Sequence, residues 1–398
     1  SYDAEKFLKK HPEIRGVMRA EGEGNFPKLA SYYIEETGVL SEIENLTYRD
    51  MDGNICETPW AEPISMDEMP FAYENLHDFE HKIIYYESSR GCPFRCSYCL
   101  SSIDKRVRFR SLDLVKKELQ VFLDARVPQV KFVDRTFNCN PRRTVELLNW
   151  IQKHDNGVTN FHFEIAADIT TEEELTIMEQ MRPGLIQLEI GVQSTNPKTV
   201  EAIHRTMDLT KLAEVVSRVK GFGNIHQHLD LIAGLPYENL ESFQKSFDDV
   251  YGMQPDQLQL GFLKVLKGSG MKEDADGYEI RYHEHAPYEV LTTRWLNYGE
   301  VLTLKGVEEM VEVYYNSRQF DRTIAHIMEQ YDTPYRFFLE LAEYYDRKGL
   351  SGIGHSRIAR YEILRAFLEE KKLGGPDNDQ CMVLDLYARE NLKSRPAF

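Results

Sequence analysis

The stretch KIIYYESSRGCPFRCSYCLSS (82–102) decides how the rest of the chain is read. Its first part, KIIYYESS (82–89), is rich in β-branched and aromatic residues, the composition of a strand. It runs directly into Cys92, Cys96 and Cys99, spaced C-x3-C-x2-C. No helix or strand turns three side chains towards one point at those intervals. The thiols must therefore sit on a loop, which Gly91 and Pro93 suit. Thiolates so placed bind an iron–sulfur cluster, and a protein that supplies only three leaves one iron with an open position. An open iron chelates the amino and carboxylate groups of a small ligand and delivers one electron into it. Two alternatives stand beside this reading. One is a zinc site completed by a histidine, although structural zinc sites usually show a second cysteine pair. The other is an electron-transfer cluster with Cys139 as its fourth ligand; Cys139 otherwise reads as a small apolar filler.

Working outward, the remaining cysteines (Cys56, Cys139, Cys381) are scattered, and SYDAEKFLKKHPE at the start lacks the apolar stretch of a secretory signal. A disulfide framework would spread its cysteines and come with such a signal, so a cytoplasmic protein is expected. No run approaches eighteen apolar residues, so no membrane span is expected. The net charge of −17 repels a phosphate backbone and argues against a nucleic-acid substrate. The short basic patch Lys105, Arg106, Arg108 and Arg110 reads as solvated surface.

After KIIYYESS, strand-like runs alternate with amphipathic helices. The strands are QVKFVD (129–134), FHFEIAA (161–167), LIQLEIGV (185–192), HLDLIAG (228–234) and QLQLGFLKVL (257–266). The helices fall at 113–125, 144–154, 172–181, 196–205, 211–223 and 240–253. Six strands separated by helices predict a parallel sheet, which right-handed crossovers curl into a full or partial barrel. Chemistry then belongs at the strand C-terminal ends, where the loops at 89–99, 134–140, 168, 192–195 and 234–238 should converge. Segments 288–315, 318–331, 335–348, 355–372 and 378–392 have helical spacing and predict an appended helical domain. Residues 1–80 read as a short αβ piece followed by a proline-rich linker. The expected domains are thus 1–80, a barrel over 81–272 and a helical domain over 273–398.

The cysteine spacing, with an aromatic residue before the last cysteine, resembles the radical S-adenosylmethionine superfamily. That resemblance implies a partial (β/α)6 barrel, a [4Fe–4S] cluster on Cys92, Cys96 and Cys99, and Tyr98 beside the adenine of S-adenosylmethionine. The family's loop after the second strand binds the methionine end of that cofactor. Here it reads VDRTFNCNP (133–141) without the usual glycine pair, leaving Asp134, Arg135 and Thr136 as candidates. Asp134 reads equally well as a loop-capping carboxylate. LEIGVQSTNPKTVEAIHR (188–205) resembles the GVQS…R signature of relatives of anaerobic coproporphyrinogen oxidase and the methylthiotransferases. It implies Gln193 and Ser194 as neutral hydrogen-bonding groups and Arg205 as a bidentate partner for the cofactor carboxylate. Glu164 matches a family carboxylate that meets amino or ribose groups, with Asp168 a weaker candidate. LDLIAGLPYE (229–238) matches the D-L-I-x-G-L-P segment and places Asp230 at the ribose hydroxyls. His226, His228, Tyr237 and Lys264 lie near predicted strand ends, where each reads equally as substrate contact or packing.

Residues 11–32, HPEIRGVMRAEGEGNFPKLASY, resemble the last αβ unit of the cobalamin-binding domain that precedes the barrel in one radical subclass. The lower-ligand motif D-x-H-x-x-G is absent from the chain. Cobalamin is therefore expected only if an N-terminal domain is missing from this chain, and methyl transfer is conditional on it. The turn Glu21–Gly22–Glu23 is then a structural relic. The helical C-terminus resembles an uncharacterised domain found after such barrels and is expected to wall the pocket from water. The resemblance further implies an electron donor such as flavodoxin or ferredoxin and a small-molecule or peptide substrate. A methylthiotransferase would need three more cysteines before the barrel, and a maturase a cysteine-rich C-terminus; neither is present. From another class, a non-catalytic iron–sulfur sensor or scaffold is the rival reading.

Overall fold

The computed structural model of the protein describes residues 2–389 apart from 74, 80, 81 and 105. Lys105 of the basic patch and the end of the helix expected over 378–392 lie outside the described residues. The chain opens with α1 (Ala4–Lys10), β1 (Gly16–Met18) and α2 (Phe26–Ile34), as the sequence suggests. Two strands the sequence reading passed over follow, β2 (Leu46–Arg49) and β3 (Ile55–Glu57), giving a small antiparallel sheet β1-β2-β3. Ile55–Glu57 lies in the stretch read as linker; three residues are too few for a period to show.

β4 (Ile84–Tyr86) starts the main sheet. A two-stranded ribbon, β5 (Ser89–Arg90) and β6 (Arg108–Phe109), then brackets the cysteine loop. The remaining units alternate as α3 (Leu112–Asp124), β7 (Gln129–Phe132), α4 (Pro141–Lys153), β8 (Asn160–Ile165), α5 (Glu172–Glu179) and β9 (Ile186–Gln193). They continue with α6 (Pro197–Ala202), α7 (Leu209–Phe222), β10 (His226–Ala233), α8 (Leu240–Gly252) and β11 (Gln257–Phe262). Strand order is β11-β10-β9-β8-β7-β4, and every pairing in that sheet is parallel. Sequential order with one helical crossover after another is what makes a half-closed barrel. Side chains on the sheet's outer face (Phe161, Phe163, Leu188, Ile190, Leu229, Leu231) are buried under the helices. Alternate positions on the inner face are Lys131, His162, Glu164, Glu189 and Asp230, so the lumen is polar.

The basic patch is a solvated surface only in part: Arg106 is exposed, whereas Arg108 and Arg110 are not. Arg110 is 5% exposed and pairs with the buried Glu118, which also accepts from Tyr86 Oη at 2.7 Å. Arg108 is paired with Glu21.

Beyond α9 (Gly270–Asp274) the expected helix over 288–315 is shorter than the sequence suggested. Its first part is instead β13 (Val290–Thr292), which pairs back onto β12 (Arg281–Tyr282), and α10 (Tyr298–Val311) starts later. The reason is local: Asn297 accepts from the Glu300 amide at 3.0 Å while the Glu300 carboxylate accepts from the Asn297 amide at 2.8 Å. That capping box fixes the helix start. α10 runs into one π turn, Glu312–Asn316. The turn aims the Asn316 amide at Leu258, taking its N–H and giving to its carbonyl at 2.9 Å each, so the free edge of β11 is capped. The helices α11 (Asp321–Met328), α12 (Pro334–Arg347), α13 (Arg357–Glu370) and α14 (Pro376–Arg389) complete the helical domain. Its aromatic residues, including Phe337, Phe338, Tyr314 and Tyr345, are core. Phe247 of α8 meets Tyr335 and Phe338 of α12 edge-on, which seats this domain on the barrel's outer layer.

Candidate active site

At the C-terminal ends of the barrel strands lies a cavity of about 190 Å³. Cys92, Cys96, Tyr98 and Cys99 of the cysteine loop form one wall. The loop is held where it is by backbone. Ser97 N–H donates to the Ile203 carbonyl at 2.9 Å and Met271 N–H to the Ser97 carbonyl at 2.8 Å. Gly91 takes φ +97°, and a Cβ there would lie 2.3 Å from the Arg106 carbonyl oxygen, so this position admits only glycine. None of the three thiols is in a disulfide. Burial pushes the Cys96 thiol up, while the Arg205 guanidinium at 3.8 Å from its sulfur favours the thiolate.

The opposite walls come from the strand ends: Arg135 and Thr136 after β7, Glu164 on β8, Glu189, Gly191 and Gln193 on β9, and Asp230 on β10. Arg205, following α6, reaches over them. It donates to the Gly191 carbonyl and to Tyr98 Oη at 3.3 Å. Gly191 leaves room for the Gln193 side chain, since a Cβ there would meet its amide nitrogen at 2.3 Å and push it aside. Gln193 itself sits at φ +71°, after a bulge at which β9 skips one residue in its pairing with β10. Deeper in the lumen Glu189 accepts from Lys131 at 2.9 Å and lies 3.0 Å from His162 Nε2. The His162 hydrogen bond, followed by Lys131, holds the Glu189 carboxyl down at about 2. Asp230 is the reverse: burial first, then Glu189 and Glu164, push its carboxyl up to about 8.

Of the candidates read from sequence, this geometry brings together the three cysteines, Tyr98, Arg135, Thr136, Glu164, Gln193, Arg205 and Asp230. Asp134 and Ser194 are placed elsewhere. Asp134 is fully buried and accepts from Ser88 N–H, Ser88 Oγ and Ser89 Oγ at 2.7, 2.6 and 2.8 Å, which ties β7 to the head of the cysteine loop. Removing it strands three donors, each worth about 1–3 kcal/mol. Asp134→Ala is expected to lower unfolding free energy by about 3 kcal/mol in denaturant titrations.

Ser194 points away from the cavity and donates to Glu238 at 2.6 Å; Ser246 donates to the same oxygen at 3.0 Å. Glu238 is wholly buried and pushed up to about 7 by that burial. Its folded value lies above the ordinary 4.5, so the stability it contributes is complete at low pH and lost as pH rises towards 7. Glu238→Gln should flatten the pH dependence of stability across that window by up to about 1.4 kcal/mol per pH unit. Melting curves of both proteins between those pH values check this.

Asp168 caps a neighbouring turn, accepting from the Asp208 amide at 3.0 Å. Cys139 does not line the cavity, and burial pushes its thiol up to about 11. His228 faces the lumen with Nε2 3.2 Å from Asp230, whereas Tyr237 packs against Trp295. His226, whose ionisation burial disfavours, stands at the N-terminal end of β10, away from the cavity, and the Lys264 backbone pairs antiparallel with that of Glu289 beyond β11. Glu189 and Gly191 were missed as site residues. Their signal was parity, since both share the inner face with Gln193 at two-residue steps. Asn138 was also missed; its amide accepts from the Ala166 N–H at 3.0 Å and donates to the Ala166 carbonyl at 2.9 Å, locking the cavity's Ala166 edge.

The donor set fits a thiolate-bound cluster with a polar ligand beside it. Three free thiols share one wall, each able to bind an iron of its own. Facing them, Gln193 Oε1 and Arg205 Nε are buried without hydrogen-bond partners, and Asp230 Oδ1 makes no hydrogen bond although His228 Nε2 lies 3.2 Å away. Such orphans call for a bound group that offers both acceptors and donors.

Residues 86–250 match the family model described as the Radical SAM superfamily, and residues 276–398 match one described as a protein of unknown function (DUF4080). An uncharacterized methyltransferase of Pyrococcus horikoshii is 24% identical over 311 residues, covering 76% of this chain and 64% of that protein. Among solved structures, the cobalamin-dependent S-adenosylmethionine radical enzyme OxsB, with aqua-cobalamin and S-adenosylmethionine bound, superposes with a TM-score of 0.60. The identity is 14%, over 96% of this chain and 63% of that one. The radical S-adenosylmethionine methyltransferase TsrM from Kitasatospora setae gives 0.59 at 15% identity, over 72% and 59%. The two structural likenesses show a shared fold. The chain spans less than two thirds of the length of each of these three proteins.

Proposed function

We propose, from the match of residues 86–250 to the Radical SAM superfamily model, that this chain binds a [4Fe–4S] cluster and S-adenosylmethionine and uses them to start radical chemistry on a substrate. Cys92, Cys96 and Cys99 would hold the cluster, leaving one iron open to the ligand's amino and carboxylate groups. The bound pair supplies reductive cleavage of the sulfonium, with hydrogen abstraction from the substrate as its consequence. What this chain contributes is binding, orientation and exclusion of water. Of the residues lining the cavity, Arg205 would offer its guanidinium to a carboxylate, Gln193 and Thr136 would offer neutral hydrogen bonds, and Glu164 and Asp230 would serve the polar and ribose groups. Asp230, whose carboxyl is pushed up to about 8 by burial and then by Glu189 and Glu164, can donate as well as accept in its protonated form.

The observation that carries this reading is the shared cavity: three free thiols on one wall and three orphaned polar atoms across from it. Methyl transfer with cobalamin is the finer proposal, conditional on a cobalamin-binding domain and supported by the names of the relative and the structural neighbours. The electron donor is proposed to be a flavodoxin or ferredoxin, and the substrate a small molecule or peptide. Among the described residues no helix is long and apolar enough to cross a membrane. The test is spectroscopic. Reconstituted and reduced without oxygen, the protein should give an electron paramagnetic resonance signal that changes when S-adenosylmethionine is added. A cluster signal indifferent to the ligand would favour the sensor or scaffold reading instead.

A further inference from the structure

The ribbon that carries the cysteine loop contains an electrostatic fault. β5 and β6 set Arg90 directly across from Arg108, and the ribbon is two residues long on each side. Like charges opposite each other destabilise a strand pair. The fault is compensated in part locally, by Glu87 on Arg90 at 2.6 Å and Asp104 on Arg108 at 3.6 Å, and in part from far away in the chain. Glu21 lies against both arginines, 3.2 Å from Arg108 Nη1 and 3.4 Å from Arg90 Nη1. Glu23 accepts from Arg90 Nη2 at 2.8 Å, and Glu87 from Arg90 Nε at 2.9 Å. Arg108 also donates to the Ile64 carbonyl at 3.0 Å, which ties in the segment before the barrel. The four side chains Glu21, Glu23, Arg90 and Arg108 keep 19–33% of their exposure, so solvent screens these pairs less than it would on an open surface.

The ribbon's neighbours make its closure matter. Arg90 is followed by Gly91 and Cys92, and Gly91 lies flat against the backbone of Arg106. The far end of the loop is pinned by main-chain bonds from Ser97 and Met271. At the Cys92 end Asp134 holds Ser88 and Ser89, and between them and Cys92 the chain is held by this ribbon. We propose that Glu21 and Glu23 are positioning residues for the cysteine loop: by neutralising the facing Arg90 and Arg108 they hold the ribbon closed and Cys92 in its place on the cavity wall. This rests on the reading of the three cysteines as cluster ligands. It turns the Glu21–Gly22–Glu23 turn from a relic into the contact through which the N-terminal piece acts on the site.

The test compares the whole chain with E21Q/E23Q, E23Q, E21R and the swap E21R/R108E. Amide hydrogen exchange is read on the metal-free protein, and iron release to a chelator on the reconstituted one. In E21Q/E23Q, exchange over residues 88–92 and 106–110 is expected to rise about tenfold, the equivalent of about 1.4 kcal/mol. Residues 160–193 should keep their protection, which guards against a variant that merely unfolds. Iron release should speed up by a similar factor. E23Q, a milder change, should fall between. The swap should recover most of the protection lost in E21R, and added salt should erode protection in the natural chain more than in the double variant. Ribbon exchange within twofold of the natural chain, or a swap no better than E21R, would overturn the proposal. A natural chain that takes up no iron sinks the cluster reading alone, and the exchange measurement then still decides whether the two glutamates hold the loop.

Discussion

Cys96→Ala should leave the protein folded and nearly free of iron. Cys96 is the most enclosed of the three thiols at 6% exposure, set between the loop backbone and the Arg205 guanidinium. A cluster that loses it keeps two protein ligands, and the remaining nearby thiol, Cys139, does not line the cavity. Losses of supporting groups around metal ligands already cost about 10–100-fold in affinity, so losing a ligand should exceed 100-fold. Iron content after anaerobic reconstitution and the visible absorbance of the cluster read the effect. The fold should survive, because the loop is anchored by the backbone bonds of Ser97 and Met271 rather than by the sulfur. Iron retained in full by Cys96→Ala would remove the basis for the functional reading.

Arg205→Ala should cost binding of S-adenosylmethionine far more than it costs cluster content. Arg205 has one nitrogen without a partner and another directed at Tyr98 Oη, so its fork is only partly used inside the protein. A hydrogen bond to a charged group is worth about 1.5–3 kcal/mol, which predicts a dissociation constant raised about 10- to 100-fold. Arg205→Lys keeps the charge but not the planar fork, and should recover only part of the loss. The residue also satisfies the Gly191 carbonyl, so some loss of stability is expected in both variants. Equilibrium binding and thermal melting, measured on the same preparations, separate the two roles. An unchanged dissociation constant with a lowered melting temperature would make Arg205 a structural residue only.

Much of this architecture is legible in the sequence because each barrel unit announces itself twice. A run such as LIQLEIGV alternates an apolar outer face with a polar inner one, and a helix with a 3.6-residue period follows it. The cysteine loop is legible for a chemical reason, since few structures need three thiols in eight residues. Short elements were not: β3 has three residues, and β13 lies in a segment whose leucines and valines mimic helical spacing. Side-chain direction was the other gap. Asp134 and Ser194 stand in the expected stretches, but one turns back to cap Ser88 and Ser89, and the other reaches Glu238 and Ser246. Neither choice is written in spacing. The pairing of Glu21 with Arg108 spans 87 residues and depends on how the N-terminal piece seats against the barrel. No local pattern encodes that.

The central claim is that this cavity cleaves S-adenosylmethionine reductively, and product formation tests it most directly. The reconstituted protein would be incubated without oxygen with S-adenosylmethionine and a strong reductant, and 5′-deoxyadenosine followed by mass spectrometry. The account predicts 5′-deoxyadenosine that requires the reductant and disappears in Cys96→Ala. A fully loaded cluster that yields none, with S-adenosylmethionine recovered intact, would contradict it.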